Sequence, residues 1–252
     1  MTVFFSSWRN EWQKLISRKK YFVFLLIGIA LCLLWAALGR MISNFANAQG
    51  GFTLTLAPTP MGMLPFFLQI LVPFLMFMGI TDLLTIECAE NTMKAMICRP
   101  IERWKLYAAK LMAVITYAAL YLACVFIACA VLNQIFGKPL TVNALLTSLI
   151  SYALTLIPLA ILACFASLVA LCGKSGTLTM FLLLIIYLLL NVLPIVFPIL
   201  SEMLFTSYLS WYRLWIGALP SVSKLIHMLL IVLGYGSVFF IAGSLFFDRK
   251  EY

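Results

Sequence analysis

The chain has 252 residues, of which 65% are hydrophobic and only 10% are charged. Soluble domains average about half apolar and about a quarter charged residues. Several apolar runs also reach the roughly 18 residues that mark a bilayer span. The composition therefore excludes a soluble fold, and the length suits one membrane domain without a separate soluble catalytic domain.

The net charge of +9 does not indicate nucleic-acid binding, because the basic residues lie at the ends of apolar runs, as topology determinants do. The seven cysteines are an odd number, and their spacing does not match a metal site. His227 is the only histidine. Gly173-Lys174-Ser175 lacks the earlier glycine of a phosphate-binding loop. We therefore expect no catalytic residue, no metal and no cofactor on this chain.

Residues 3–20 predict an interfacial amphipathic helix that ends in basic residues. Large apolar residues recur every four positions at Phe4, Trp8, Trp12 and Ile16. The other side holds the polar residues Arg9, Asn10, Gln13 and Lys14. This pattern is typical of a helix lying in the plane of a membrane surface. The end of an ordinary soluble helix is the alternative.

Six apolar segments follow, and the predicted spans are about 21–39, 64–84, 107–132, 144–171, 177–197 and 225–247. The first is too long for a typical signal-peptide core, and Arg40 interrupts its approach to a cleavage-like site. Pro158 predicts a kink in the fourth span. We expect an all-α membrane protein with a single permease-sized domain over residues 1–252.

The basic residues orient the six spans. If both termini are cytoplasmic, 13 of the 17 basic residues lie inside, and every loop agrees with the positive-inside rule. Residues 85–106 are then cytoplasmic and residues 198–224 extracellular. An error of one span would abolish the bias, so the charges support the count of six.

The stretch 82–110 is charged and divided by Pro100, which predicts a short helix at about 85–97 and a second helix that leads into the third span. Glu87 and Glu90 stand near its start and basic residues stand later, an order that suits a helix dipole. Positive-inside charges alone explain the lysines and arginines but not these carboxylates. The short helix therefore indicates a surface for a cytoplasmic partner.

The same stretch resembles the signature region of the ABC transporter type-2 permease family. Glu87 stands four positions before Asn91-Thr92, Pro100 and Arg103 are three apart, and Lys110 follows at the start of the third span. Asn91 replaces the usual glycine. The short chain is similar to bacterial permeases that export or expel peptide antibiotics and lantibiotics.

The resemblance implies a partner ATPase chain, which carries ATP and Mg, and a second permease copy or a similar permease. It implies that residues 85–97 act as a coupling helix, with ATPase-coupling roles for Glu87, Glu90, Asn91, Thr92 and Arg103. The turn at 172–176 adds a second cytoplasmic contact through Lys174 and Ser175. Residues 198–224 form an outer lid of short re-entrant or interfacial helices, although an ordinary aromatic belt would have a similar composition.

In this family the second and fifth spans line the pathway. The polar residues expected there are Thr81, Thr179, Tyr187 and Asn191, among mostly apolar walls. Such walls favour an amphipathic or hydrophobic cargo, such as a peptide antibiotic or a lipid-like molecule, taken from the membrane lipid. We expect a multi-pass protein of a bacterial cell membrane. A non-transporting membrane scaffold or immunity protein and an ion-coupled secondary transporter are the alternatives.

Overall fold

The computed structural model describes residues 2–48, 58–90, 102–136, 141–197, 199, 203–215 and 222–250. These residues form long α-helices and a 3₁₀ helix, Phe205–Trp215, between the last two of them. The α-helices are α1 (Thr2–Ser17), α2 (Lys19–Ala48), α3 (Pro60–Ala89), α4 (Arg103–Phe136), α5 (Val142–Cys172), α6 (Gly176–Val196) and α7 (Val222–Arg249).

Among the described helices, six are long and apolar enough to cross a membrane, namely α2 to α7. The prediction of an all-α protein with six spans is thereby confirmed. The helices extend beyond several predicted bounds. In particular, α3 continues to Ala89, so residues 85–89 of the predicted coupling helix are continuous with the second span, and α4 begins at Arg103. Residues 91–97 of that predicted helix lie outside the described residues.

The core of the bundle is built from α3, α4 and α5. In the most apolar window of α3, 67% of the residues are buried, against 11% in that of α6. Leu75 and Phe77 of α3 are fully buried. Helix α7 packs on α4 and α5, α2 packs on α4, and α6 packs on α3 and α5. The inner helices therefore find their partners within the chain, whereas α2, α6 and α7 keep one side outward.

Two of the spanning helices are irregular. Helix α3 contains two π-helical stretches, Phe67–Leu71 and Thr81–Ile86. Helix α5 is interrupted at Thr155, between Leu154 and Leu156. Pro158 explains this interruption, because a proline lacks the amide hydrogen and its ring clashes with the carbonyl four residues earlier, here that of Leu154. The break in α5 thus lies at Thr155, about one turn before the proline at which it was predicted.

Helix α1 packs against the start of α4. Leu15 is buried, and the ring centroid of Trp12 lies 6.2 Å from that of Tyr117. Phe5 and Ile16 stay exposed although the periodicity assigned them to the apolar side. The helix therefore divides its apolar residues between the bundle and its surroundings.

The 3₁₀ helix reaches into the bundle with its aromatic residues. Phe205 lies between Phe165 of α5 and Phe239 of α7, with ring centroids 5.0 and 5.5 Å away. The Thr206 hydroxyl donates to the Leu190 carbonyl of α6 at 3.3 Å. Phe205 thus packs against two of the spanning helices, and a re-entrant course for residues 198–224 stays a prediction.

Candidate functional site

Two carboxylates and two ammonium groups from three helices form a closed ring at the end of the bundle where α1 lies. Lys110 Nζ of α4 is 3.0 Å from Glu11 Oε2 of α1 and 2.5 Å from Glu87 Oε2 of α3. Lys14 Nζ of α1 is 3.0 Å from Glu11 Oε1 and 2.9 Å from Glu87 Oε1. Each ammonium group bridges both carboxylates. We call these four residues the charge ring.

The charge ring is mostly inaccessible to solvent. The side chains of Glu11 and Lys110 are 1% exposed and that of Glu87 is 6% exposed, whereas Lys14 is one third exposed. Burial alone would lower the pKa of Lys14, but attraction to Glu11 and hydrogen bonding to Glu87 outweigh it and raise this pKa above its usual value. Charges buried this deeply are stable only while their partners remain.

A second group of charges lies around Asp82 of α3, which is buried. Tyr21 donates its hydroxyl to Asp82 Oδ2 at 2.6 Å, and Lys20 Nζ lies 2.6 Å from Oδ1. The Arg18 guanidinium is 3.1 Å from Oδ2. These contacts tie the junction between α1 and α2 to α3.

The π-helical stretch Thr81–Ile86 explains why Asp82 and Glu87 lie on the same side of α3, where Asp82 meets the junction between α1 and α2 and Glu87 meets α1 and α4. In a regular α-helix, residues five apart are rotated by about 140° and point to different sides. In a π-helix, the hydrogen bond joins residues five apart and brings them onto the same side. The wider turn therefore lets both carboxylates of α3 meet basic residues, some from the chain before α3 and one from the chain after it.

The predicted ATPase-coupling residues have different surroundings. Glu87 is buried in the charge ring, so a coupling role for it acts through α1 and α4 rather than by direct contact with a partner. Glu90 is exposed just beyond the end of α3. Asn91 and Thr92 lie outside the described residues. Arg103 begins α4 and donates to the Asp248 carbonyl at the end of α7, at 2.6 Å.

The predicted second contact, the turn at 172–176, lies against the end of α3. The Thr85 hydroxyl donates to the Ala170 carbonyl at 2.9 Å. A Cβ atom on Gly176 would meet Ile86 Cγ1 at 2.6 Å, so a glycine is needed for this close approach. Lys174 and Ser175 are exposed. The structure thus brings this turn beside Thr85 and Ile86, and its role as a second contact stays a prediction.

The C-terminal end of α7 completes the same end of the bundle. Lys250 Nζ donates to the Leu171 carbonyl at 2.6 Å, and Asp248 Oδ1 lies 3.9 Å from Arg103 Nε. Because α1 and the end of α7 both lie here, the described beginning and end of the chain are on the same side of the bundle. Which side of the membrane this is remains a prediction from the charge bias.

The four predicted pathway residues each donate a hydrogen bond to a backbone carbonyl. Thr81 donates to the Phe77 carbonyl at 2.8 Å, and Thr179 donates to the Ser175 carbonyl at 2.7 Å. Tyr187 donates to the Gln69 carbonyl of α3 at 3.0 Å, and Asn191 donates to the Tyr187 carbonyl at 2.8 Å. These bonds lie within α3, within α6 and its N-terminal turn, and between the two helices, and a pathway role for the four residues stays a prediction.

A cavity of about 320 Å³ lies elsewhere, between α4 and α5, and is lined by apolar residues such as Ala119, Phe126 and Leu149. Tyr152 also lines it, and the hydroxyl of this tyrosine donates to the Pro60 carbonyl. The cavity therefore suits only apolar groups. Within the described ranges, no group of three or more His, Cys, Asp or Glu side chains could hold a metal ion.

A sequence model described as ABC-2 family transporter protein matches residues 8–191, well over half of the chain. The chain belongs to the ABC-2 transporter family. ABC-2 proteins are membrane transport subunits, generally without a catalytic site of their own, so this permease is a multi-pass protein of the cell membrane. The matched region contains the whole charge ring. A comparison with individual curated proteins gave no match.

The sequence interpretation missed the role of Glu11 in this permease. Glu11 was assigned to neither side of α1, yet it lies between Trp8, Trp12 and Leu15 on the side that packs against α4. A carboxylate among three apolar residues at helical spacing was the available signal, because such a group needs a buried cation. Lys110 was quoted only as part of a motif, and its two carboxylate partners were not anticipated.

Proposed function

We propose that this ABC-2 permease is the membrane subunit of an exporter driven by a separate ATPase chain, which binds ATP and Mg²⁺. The permease pairs with a second copy of itself or with a similar permease. Its cargo is amphipathic or hydrophobic, in the class of peptide antibiotics or lipid-like molecules. The observation that carries this proposal is the family match over residues 8–191, which includes the whole segment between α3 and α4.

The ATPase docks at the α1 end of the bundle, which faces the cytoplasm. Exposed Glu90, Lys174 and Ser175 and partly exposed Arg103 stand at this end. Asn91 and Thr92 belong to the connecting segment between α3 and α4. The contact surface is thus assigned to two neighbouring loops, and the carboxylate and the cations on it favour charge complementarity with the partner.

Through the charge ring, docking of the ATPase at one loop moves several helices of the permease together. Glu87 lies three residues before Glu90, and its carboxylate holds Lys14 of α1 and Lys110 of α4. A force applied after Glu90 therefore reaches three helices through buried ion pairs. Helix α6, whose outer side is apolar and exposed, is the element on which a second permease or a cargo from the bilayer would act.

Affinity purification of the full chain from its host membrane in mild detergent tests the proposal. We expect a nucleotide-binding ATPase to co-purify in a fixed ratio and the complex to hydrolyse ATP. Glu90→Lys and Arg103→Glu should each release the ATPase while the permease still inserts. Arg9→Glu, a reversal of an exposed charge on α1, is the matched control and should retain it.

The alternatives give different results. A scaffold or immunity protein would purify without an ATPase and bind its ligand without turnover. An ion-coupled transporter would move cargo in vesicles that contain an ion gradient but no ATP. Selective movement of an inorganic ion by the ATPase complex would contradict the cargo class proposed above.

A further inference from the structure

Helices α2 and α4 run parallel and in register, as contacts at three levels show. The Tyr117 hydroxyl donates to the Tyr21 carbonyl at 2.8 Å near the α1 end. Farther along, the Cys32 and Cys129 sulfurs are 3.5 Å apart. Beyond them, the Arg40 guanidinium lies 5.2 Å from the centroid of the Phe136 ring. Residue numbers rise together along both helices, so the two thiols meet at the same depth.

Small residues bring the two helices close together on either side of this thiol pair. Gly28, Cys32 and Ala36 follow one another at four-residue spacing, and all three are buried. A Cβ atom on Gly28 would lie 2.3 Å from the Tyr121 hydroxyl oxygen of α4. Small residues at this spacing allow helix backbones to approach closely in membranes. The contact between α2 and α4 is therefore tight where the thiols lie.

The thiol pair is screened from water but lies close to lipid. Cys32 and Cys129 are both 0% exposed. Cys32 lies thirteen residues along α2 from Lys19, a rise of roughly 20 Å. Leu33 and Leu34, its neighbours on α2, are about half exposed. One helix thickness therefore separates the pair from the bilayer, so a lipid-soluble reagent has a shorter route to it than a charged one.

We propose that Cys32 and Cys129 form a redox-active pair that a lipid-soluble quinone closes into a disulfide between α2 and α4. The two thiols together lose two protons and two electrons, and one S–S bond forms. The quinone takes up the two protons and the two electrons and becomes a hydroquinone. A disulfide needs its sulfurs at about 2.05 Å, so the pair must close by about 1.5 Å. This closure requires rotation of the two unbranched side chains at a contact lined by small residues.

The bond would cross-link two helices that are far apart in sequence. Restricting the unfolded chain in this way stabilises the folded chain, and a thiol reductant reverses the effect. The oxidised permease should therefore have a higher thermal unfolding midpoint than the reduced permease. The quinone takes electrons from a thiolate more readily than from a thiol, so oxidation at this apolar depth should be slow and should need the correct folded geometry.

The test treats the full-length permease in membranes with tetramethylbenzoquinone, whose substituted ring resists addition of thiols. The expected product is a peptide cross-linked between Cys32 and Cys129, together with the loss of two hydrogen atoms from the intact mass. Cys32→Ala and Cys129→Ala should each abolish this cross-link. Cys124→Ala, which removes a half-buried thiol of α4, is the matched control and should retain it.

A charged disulfide reagent added to the same membranes should leave the pair reduced. Gel filtration of each variant in detergent shows whether it is folded, and Cys32→Ser is the second variant if Cys32→Ala aggregates. Free Cys32 and Cys129 after quinone treatment of the folded permease would overturn the proposal. So would cross-linking of Cys32 to Cys124, or cross-linking only in denatured protein.

Discussion

Helices α3 and α6 are both apolar enough to span a membrane, yet they occupy opposite environments. Most residues in the apolar window of α3 are buried, and this helix carries Asp82 and Glu87. In the apolar window of α6 only 11% of the residues are buried, and its exposed side carries residues such as Phe181, Ile185 and Leu188. Both sequences are dominated by Leu, Ile, Phe and Val. Hydropathy therefore marks a span but does not tell which span is central.

The difference follows from where polar groups can be satisfied. In a bilayer, ionisable side chains face the protein interior and pair there. Helix α3 has two carboxylates, so it must lie where α1, α2 and α4 bring cations. Helix α6 has no such demand, and its apolar side can contact lipid or another subunit. The polar residues, rather than the apolar ones, sort the spans into inner and outer positions.

The strongest way to break this arrangement is to remove Lys110. Lys110→Met removes the buried cation that Glu11 and Glu87 share, and breaking a buried pair costs about 3–5 kcal/mol. We expect a loss of that order in the free energy of unfolding, measured by denaturant titration in mild detergent. Lys105→Met, on the same helix, disrupts a solvent-exposed pair with Glu102 and should change little. Equal losses of unfolding free energy for Lys110→Met and Lys105→Met would show that the charge ring is not buried.

Truncating matched leucines compares the two helices directly. Leu75 of α3 is fully buried and Leu188 of α6 is 64% exposed. Leu75→Ala should cost about 2–5 kcal/mol because it leaves a cavity in the core. Leu188→Ala should cost much less in the purified single chain. A comparable loss at Leu188 would mean that a second subunit covers α6 in the detergent-solubilised protein.

The close contact of α2 with α4 gives a smaller effect. Gly28→Ala places a methyl group against the buried Tyr121 ring, and such overpacking costs about 1–3 kcal/mol. Gly234→Ala in α7 is the matched control, because no atom lies within 4 Å of the added Cβ. The control should be neutral or slightly stabilising, since alanine favours helices. Destabilisation by both substitutions to the same extent would contradict tight packing between α2 and α4. The measurement is thermal unfolding monitored by gel filtration.

Much of the fold was predictable because it depends on local properties. Six apolar runs, their basic ends and the proline in the fourth span predicted six helices and one break, and the structure contains them. The end of α3 was harder to predict from the sequence, because residues 85–89 are polar enough to resemble a cytoplasmic segment. They remain in the helix because Glu87 finds Lys14 and Lys110, which come from distant parts of the chain.

Two members of the charge ring, Glu87 and Lys110, stood out in the sequence, but their contacts did not. The sequence indicated that the stretch around Glu87 meets a partner, and the structure shows that Glu87 itself is occupied within the chain while Glu90 is exposed. No sequence spacing reveals a ring that joins residues 11, 14, 87 and 110. The π-helical turn was equally inaccessible, because it adds one residue per turn without a marker such as glycine or proline. The contact surface on the ATPase side stays a prediction.

The smallest expected effect concerns Lys14, the one partly exposed member of the charge ring. An ordinary lysine titrates near pH 10.4, with a range of about one unit in proteins. The pKa of Lys14 in the folded chain is raised above its usual value, so its stabilising contribution is complete below the unfolded pKa and is lost as the pH rises through the folded pKa. Because solvent screens this side chain, we expect about 1 kcal/mol or less.

The measurement is the difference in unfolding free energy between the unmodified chain and Lys14→Met, followed from neutral pH to about pH 11. This difference should shrink in the alkaline range, whereas the same difference for Lys174→Met, on the exposed turn, supplies the background. A difference that grows with pH would mean that the attraction of Glu11 and Glu87 does not outweigh the burial of Lys14.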